Sequence, residues 1–243
     1  MSRLPQDVTP DDLIDVLVQM IRSNRLSELA STIDGHQDPL TVASAFNSSV
    51  KKLYREYKDV THMLVAGEAG LAYCLNRANL ESDQNKEIEL QKLARAIAFN
   101  TATNCWPGWG DDGIVIDEPN LNAGIKLALQ CLDLTQQLAL APRALGGAHW
   151  LIGALELAAH RFDAARREFE QAERTYLSDG SLPAYVLMAR GYLALTRKAD
   201  PGSPTENAET LPQALDRLRA EGSKDAVFFA DQIATANRLL FEV

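Results

Sequence analysis

A short polar or acidic residue followed within two positions by proline recurs along the chain, each time before a run of helically spaced apolar residues. It occurs at Thr9-Pro10, Asp38-Pro39 and Asp117-Glu118-Pro119. Thr and Asp cap helix N-termini, and proline fits the first turn because its missing N–H would have no helical partner there. These signals divide the 243 residues into successive helices.

Apolar residues between these starts recur at helical spacing, and no stretch alternates as a half-buried strand does. The segment 114–116 is too short to be more than extended chain. The pattern predicts two short helices before residue 35, followed by nine more at about 40–57, 59–80, 84–103, 118–140, 142–160, 162–178, 183–198, 211–221 and 224–241. We therefore predict an all-α protein of about eleven helices, whose short connections make successive helices antiparallel.

Composition limits the classes of function. Apolar residues make up 46% of the chain, enough for a sizeable core, and the net charge is −9. An acidic chain is a poor general ligand for nucleic acid, which needs a basic surface. The one basic run, KKLYREYK at 51–58, is interrupted by Glu56 and predicts a solvated helix face.

The N-terminal segment MSRLPQDVTPDD contains no apolar stretch, so we expect no signal peptide. No apolar run is long enough to cross a membrane. Three widely spaced cysteines, Cys74, Cys105 and Cys131, fit neither a disulfide framework nor a metal site. These features predict a cytoplasmic protein with reduced thiols and no membrane contact.

Residues 146–178 carry the most specific pattern. The first helix of this segment contains Ile152-Gly153, and the second places Ala165 four residues before Phe169. Small residues let two helix backbones approach closely, and the phenylalanine fills the space between the pair and its neighbour. This spacing resembles the tetratricopeptide repeat (TPR), although Trp150 falls one residue late and Glu156 stands at the tyrosine position of the family.

The resemblance implies a right-handed array of antiparallel helix pairs, a TPR-like α-solenoid, because one pair cannot bury both of its faces alone. Weaker matches around Gly70 and Gly191 fit the same plan. The array would form a single domain over 1–243. Its parts would be an N-terminal helical cap (1–57), helix-pair repeats (58–198) and C-terminal capping helices (205–243).

The resemblance also implies where a partner would bind. In TPR arrays the first helix of each pair lines a concave face, and the corresponding stripes here contain Trp150, Leu157, Tyr185, Met188 and Tyr192. Tryptophan, tyrosine and methionine are common anchors at protein interfaces. These five residues predict an apolar groove for a peptide or helix of a protein partner. The alternative is that the stripes belong to the core, covered by the C-terminal helices.

The segment 104–113, NCWPGWGDDG, interrupts the helices and holds two of the three tryptophans. Pro107 excludes helical geometry at Trp106, and the three glycines permit positive φ. Trp106 and Trp109 would either fold back as a structural plug or flank a cleft for a small flat ligand such as a sugar or base. Asp111-Asp112 lacks the alternation of a calcium-binding loop.

The four histidines form no metal-binding spacing, and neither a P-loop nor a nucleophile motif is present. We expect no metal and no cofactor. The leading interpretation is an adaptor that binds a protein segment and no nucleic acid. A small-ligand-binding protein or enzyme using Trp106 and Trp109 is the alternative. A homo-oligomer is a further hypothesis, because the apolar residues Leu239, Leu240 and Phe241 lie together near the end of the sequence.

Overall fold

The structure is a computed structural model and describes residues 9–33, 38–200, 202 and 208–242. Within these ranges the chain forms eleven α-helices, one 3₁₀ turn and no strand. The all-α prediction and the number of helices are confirmed for this part of the chain. Residues 1–8 of the segment read for a signal peptide, His36, and residues 205–207 of the predicted C-terminal cap lie outside the described residues.

The chain divides into two compact units, unit 1 (Met1–Asn104) and unit 2 (Cys105–Val243). Unit 1 contains α1 (Pro10–Arg22), α2 (Leu26–Ile33), α3 (Pro39–Arg55), α4 (Val60–Leu80) and α5 (Gln84–Thr103). Unit 2 contains α6 (Glu118–Gln137), α7 (Pro142–Ala158), α8 (Phe162–Asp179), α9 (Pro183–Ala199), α10 (Leu211–Glu221) and α11 (Lys224–Phe241). The assignment of residues 1–243 to a single domain stays a prediction.

The helix starts predicted from the cap-and-proline signals are confirmed. Thr9 caps α1 in a reciprocal capping box with Asp12. The Asp38 carboxylate accepts hydrogen bonds from the first backbone amides of α3. Asp117 accepts from the amide of Asn120 at 2.8 Å. Each cap pairs donors that the helix itself leaves unpaired, so these local sequences determine where the helices begin.

The core of unit 1 lies among α3, α4 and α5, which all contact one another, and α1 packs against α3. Phe46, Met63 and Ile97 are fully buried there. Gly70 of α4 lies directly against the Phe46 side chain, where a Cβ would come within 2.7 Å of it. The missing side chain therefore allows α3 and α4 to pack closely.

In unit 2 the helices also pack as neighbouring pairs along the chain, with α7–α8 the most extensive. A Cβ on Gly153 would lie 2.8 Å from the ring of Phe169, and Ala165 is fully buried. The residues that carried the repeat pattern thus form the contact between these two helices. Pairwise packing of this kind is compatible with a helical repeat. No described helix is both long and apolar enough to cross a membrane.

Candidate functional site

The loop that precedes α6 contains one tight turn where the sequence predicted no helix. Trp106 is extended, and Pro107–Trp109 then forms a single 3₁₀ turn. Gly110 and Gly113 adopt the predicted positive φ, 69° and 75°. Gly108 does not, and its role is steric, because a Cβ there would overlap the Trp106 indole. The turn therefore folds the loop tightly over its own first tryptophan.

The loop and the predicted stripes of α7 and α9 were predicted as separate sites. In the structure their aromatic side chains form one cluster. The Tyr192 ring lies 6.3 Å from that of Trp106 and 5.8 Å from that of Trp150, in edge-on contacts. Phe169 stacks on Tyr192 at 5.0 Å, and Trp109 lies 6.3 Å from Trp150. Such pairs add stabilisation beyond the burial of their area.

Most of this cluster is interior. Trp106 is 1% exposed, Trp150 is 7% exposed and Tyr192 is fully buried. Two further residues of the predicted groove, Leu157 and Met188, are buried as well. Side chains in these positions stabilise the fold, as the core alternative for the stripes and the plug alternative for the loop both expect. A binding role for the predicted residues stays a prediction.

Trp109 and Tyr185 are the two predicted site residues that remain partly exposed. Tyr185 lies 5.1 Å from the ring of Phe229 on α11 and 5.4 Å from that of Tyr176 on α8. Arg143 lies over the ring and hydrogen-bonds to the phenol. Burial raises the pKa of Tyr185, and the Arg143 charge opposes that rise. This tyrosine therefore contacts side chains of α7, α8 and α11 while remaining partly exposed.

Three buried polar atoms converge inside the cluster. The Tyr192 hydroxyl and the indole nitrogens of Trp106 and Trp150 have no hydrogen-bond partner among the described residues. Burial raises the pKa of Tyr192 far above its ordinary value, and the two nearby indole N–H groups only partly oppose this. Their geometry falls short of hydrogen bonds, so burial dominates. Tyr192 stays neutral at physiological pH and cannot act as a base there.

Unit 1 contains an apolar groove that sequence reasoning missed, with a volume of about 560 Å³. One wall is formed by Leu26, Leu29 and Ile33 of α2, with Phe46 of α3 beside them. The other wall is a stripe of α4, here called the α4 stripe: Val65, Glu68, Ala69, Ala72, Tyr73, Asn76, Arg77 and Leu80. These positions follow i, i+3, i+4 spacing and form one helix face.

The rim of the groove combines exposed apolar surface with two opposite charges. Leu80 is 79% exposed and Leu26 is 40% exposed. Glu68 and Arg77 stand nine residues apart on α4, and neither forms an ion pair with any described residue. The sequence signal was present in the α4 stripe, but apolar positions alone do not show which face of a helix stays uncovered.

Two smaller clefts lie in unit 2. One, of about 310 Å³, lies between the end of α8 and the start of α9, where Leu177 is 52% exposed and Arg190 pairs with Glu173 at 2.7 Å. The other, of about 230 Å³, lies against Arg197 and Leu211, next to undescribed residues. Neither combines an apolar floor with unpaired charges as the unit 1 groove does.

The polar side chains that could support chemistry are mostly engaged in pairing or buried. His62 hydrogen-bonds to Asp59 at 2.7 Å and His149 to Glu168 at 2.8 Å. All three cysteines are free and buried. Burial raises the pKa of Cys74 and Cys105 to about 12 in each case, so neither thiol ionises near neutral pH.

No group of three His, Cys, Asp or Glu side chains in the described ranges is arranged to hold a metal ion. Comparison with known proteins gives no assignment: no family model matches the chain, and no curated protein and no solved structure is significantly similar to it.

Proposed function

We propose that this protein is an interaction module that binds an apolar helical segment of a protein partner in the groove of unit 1. The observation that carries the proposal is the groove itself, an apolar trough between α2 and α4 with exposed leucines on its rim. It takes the place of the groove predicted in unit 2, because Trp150, Leu157 and Tyr192 are interior.

Several features support a helical occupant. The α4 stripe spans sixteen residues, and its ends, Val65 and Leu80, lie about 22 Å apart along the helix axis. A partner helix lying along it would present its own i, i+3, i+4 face, as in other helix-in-groove complexes. Contiguous exposed apolar surface of this kind on a protein commonly marks a site of interaction. Binding would remove Leu80 and Leu26 from water, at roughly 25 cal/mol for each Å² of apolar surface buried.

We also propose that the helix pairs belong to a right-handed TPR-like array. The pair α7–α8 supports this proposal, since Gly153 and Ala165 provide the close approach and Phe169 fills the space beside them. Gly191 of α9 supports it too, because a Cβ there would lie 2.6 Å from Ile233 of α11. In both contacts a glycine, Gly153 or Gly191, stands at the position where TPR repeats carry a small residue.

A small-ligand site at the loop is the second candidate function. It is favoured by Trp109, whose ring is partly exposed beside Trp150, and by the unpartnered polar atoms beneath it. A thermal-shift screen with sugars and nucleobases would test it. A ligand that raises the melting temperature of the wild type but not of Trp109→Ala would support this function, and no shift with any compound would count against it.

The groove is tested with a fluorescein-labelled helical peptide that carries Leu and Ala on one face and Glu and Lys on the other. Ala72 is exposed on the groove wall, and Ser44 is an equally small exposed residue on α3 outside it. We expect fluorescence anisotropy to show binding to the wild type and to Ser44→Glu. Ala72→Glu should bind at least about tenfold more weakly, because the partner must then bury a charge. Equal binding by both variants, or none by the wild type, would overturn the proposal.

A further inference from the structure

The two charges on the groove rim lie on opposite flanks of the α4 stripe. Successive residues of an α-helix are rotated by about 100°, so Glu68 and Arg77, nine positions apart, point to opposite sides of α4. Apolar residues of the stripe, such as Ala69 and Tyr73, lie between them around the helix. A helix that packs along the stripe therefore has a negative charge beside one edge and a positive charge beside the other.

The two flanks differ in what surrounds them. Gly70 packs directly against the Phe46 side chain of α3, and the Tyr73 ring lies 5.9 Å from that of Phe46. Arg77 stands four positions after Tyr73 and seven after Gly70, further along the same side of α4. Its flank is therefore the one turned towards α3, whose Phe46 also lines the groove. Glu68 lies on the opposite, outer flank.

Burial follows the same division, because Glu68 is exposed and Arg77 is only partly exposed. Neither forms an ion pair within the described part of the chain. An occupant that covers a partly buried cation removes water from it, which weakens binding unless an anion compensates. An exposed charge at the outer edge keeps its water and matters less. Arg77 is therefore the charge that an occupant must neutralise.

We infer that the groove binds an amphipathic helix of the partner whose apolar face is bordered by a carboxylate that pairs with Arg77. The inference rests on the proposed function, since it names the chemistry of the segment that binds in the same groove. Its support is charge complementarity on the flank turned towards α3. A guanidinium group suits this role because it can bind a carboxylate through two parallel hydrogen bonds, which adds specificity to the contact.

Arg77 also determines where along the groove the carboxylate lies. It stands three positions before Leu80, which is 79% exposed at the end of α4. The apolar part of the groove extends from Arg77 towards Val65, about 18 Å away along the helix axis. The matching partner helix therefore carries its acid near one end of an apolar face of about three turns.

Three labelled peptides test the inference, and all carry the Leu and Ala face of the peptide described above. They differ only in the two rows of residues that border this face, which are all Glu, all Gln or all Lys. Because both borders are alike, each peptide presents the same side chain to Arg77 whichever direction it binds. In fluorescence anisotropy the wild type should bind the Glu-bordered peptide most tightly and the Lys-bordered peptide least tightly. Circular dichroism should show equal helicity of the three peptides.

Protein variants assign this preference to one flank. Arg77→Gln should lower the ratio of Glu-bordered to Lys-bordered affinity at least about tenfold, whereas Arg77→Lys keeps the charge and should retain most of the preference. Glu68→Gln should change the ratio by less than about threefold, because its charge is exposed. Lys86→Gln removes a positive charge that is exposed on α5, outside the groove, and controls for the net charge of −9. Circular dichroism of each variant should match the wild type.

The outcomes separate this inference from the proposed function. If the wild type binds all three peptides but Arg77→Gln changes the affinity ratio no more than Lys86→Gln does, the inference is overturned and the groove function stands. A larger change of the ratio in Glu68→Gln than in Arg77→Gln would also overturn it. A wild type that binds none of the three peptides would overturn both the inference and the proposed function.

Discussion

The stripes of α4 and α9 have the same helical spacing of apolar residues but differ in burial. On α9, Met188 and Tyr192 are buried against the neighbouring helices of unit 2. On α4, the equivalent spacing ends in Leu80, which is 79% exposed above an apolar groove. The difference teaches that helical periodicity identifies an apolar face but not whether another element covers it. Mutations that distinguish a covered face from an uncovered one therefore test the whole interpretation.

The largest effect is expected at the loop tryptophans. Trp106→Ala removes an indole that is 1% exposed and leaves a cavity, so the free energy of unfolding should fall by about 3–5 kcal/mol. Trp109→Ala is the control, because its partly exposed ring loses less buried area and should cost less than half as much. Urea denaturation measures both. Equal losses would mean that the two rings are equally buried and that the loop is no plug over Trp106.

The contact between α7 and α8 gives the next effect. Gly153→Ala forces a methyl group to within 2.8 Å of the Phe169 ring, so we expect a loss of about 1–3 kcal/mol. Gly147→Ala, on the same helix, meets only the Tyr176 hydroxyl at 3.9 Å and should stabilise the helix by about 0.5–1 kcal/mol. Thermal unfolding of the two variants should shift in opposite directions. A shared direction would contradict the close packing at Gly153.

Alkaline pH provides a smaller effect that reports on the covered face of α4. The pKa of the Cys74 thiol is raised by burial from 9.0 to about 12, so folding favours the protonated thiol. Its contribution to stability is complete below about pH 9 and is lost as the pH rises towards 12. Between about pH 8 and 9.5 the wild type should lose roughly 1 kcal/mol more than Cys74→Ala in urea denaturation. Parallel pH profiles would show that Cys74 is not buried.

The smallest effect on stability is expected in the groove. Leu80→Gln should change the free energy of unfolding by no more than about 0.5 kcal/mol, because the side chain is already in water. Leu157→Gln is the matched variant on a covered stripe, and burying its amide should cost about 3–5 kcal/mol. Chemical denaturation compares the two. A comparable loss at Leu80 would mean that the groove is filled within the chain.

Local features were predictable because their causes lie within a few residues. Thr9, Asp38 and Asp117 each begin a helix through hydrogen bonds that span two or three positions, so the helix starts could be predicted closely. The close approach of α7 and α8 at Gly153 was also predicted, since the two helices are joined by a short turn. The prediction placed Phe169 between this pair and its neighbour, and the ring lies directly against Gly153.

Features that depend on distant elements were not predictable in the same way. Trp106 and Trp150 were assigned to two separate sites because they stand 44 positions apart in the sequence, yet both touch Tyr192. The groove of unit 1 was missed because its character depends on α2, which lines one wall and leaves the α4 stripe uncovered. Exposure is a property of the packed chain, and hydropathy along one helix does not determine it.

The clustering of the tryptophans also gives the protein a built-in optical asymmetry. All three indoles, Trp106, Trp109 and Trp150, lie in unit 2, whereas unit 1 has only tyrosines and phenylalanines as aromatic chromophores. Emission excited at the red edge of the absorption band therefore follows unit 2 alone, while far-ultraviolet circular dichroism follows the helices of both. Recording the two signals in one melt would reveal whether the units lose structure in a single cooperative step or in succession.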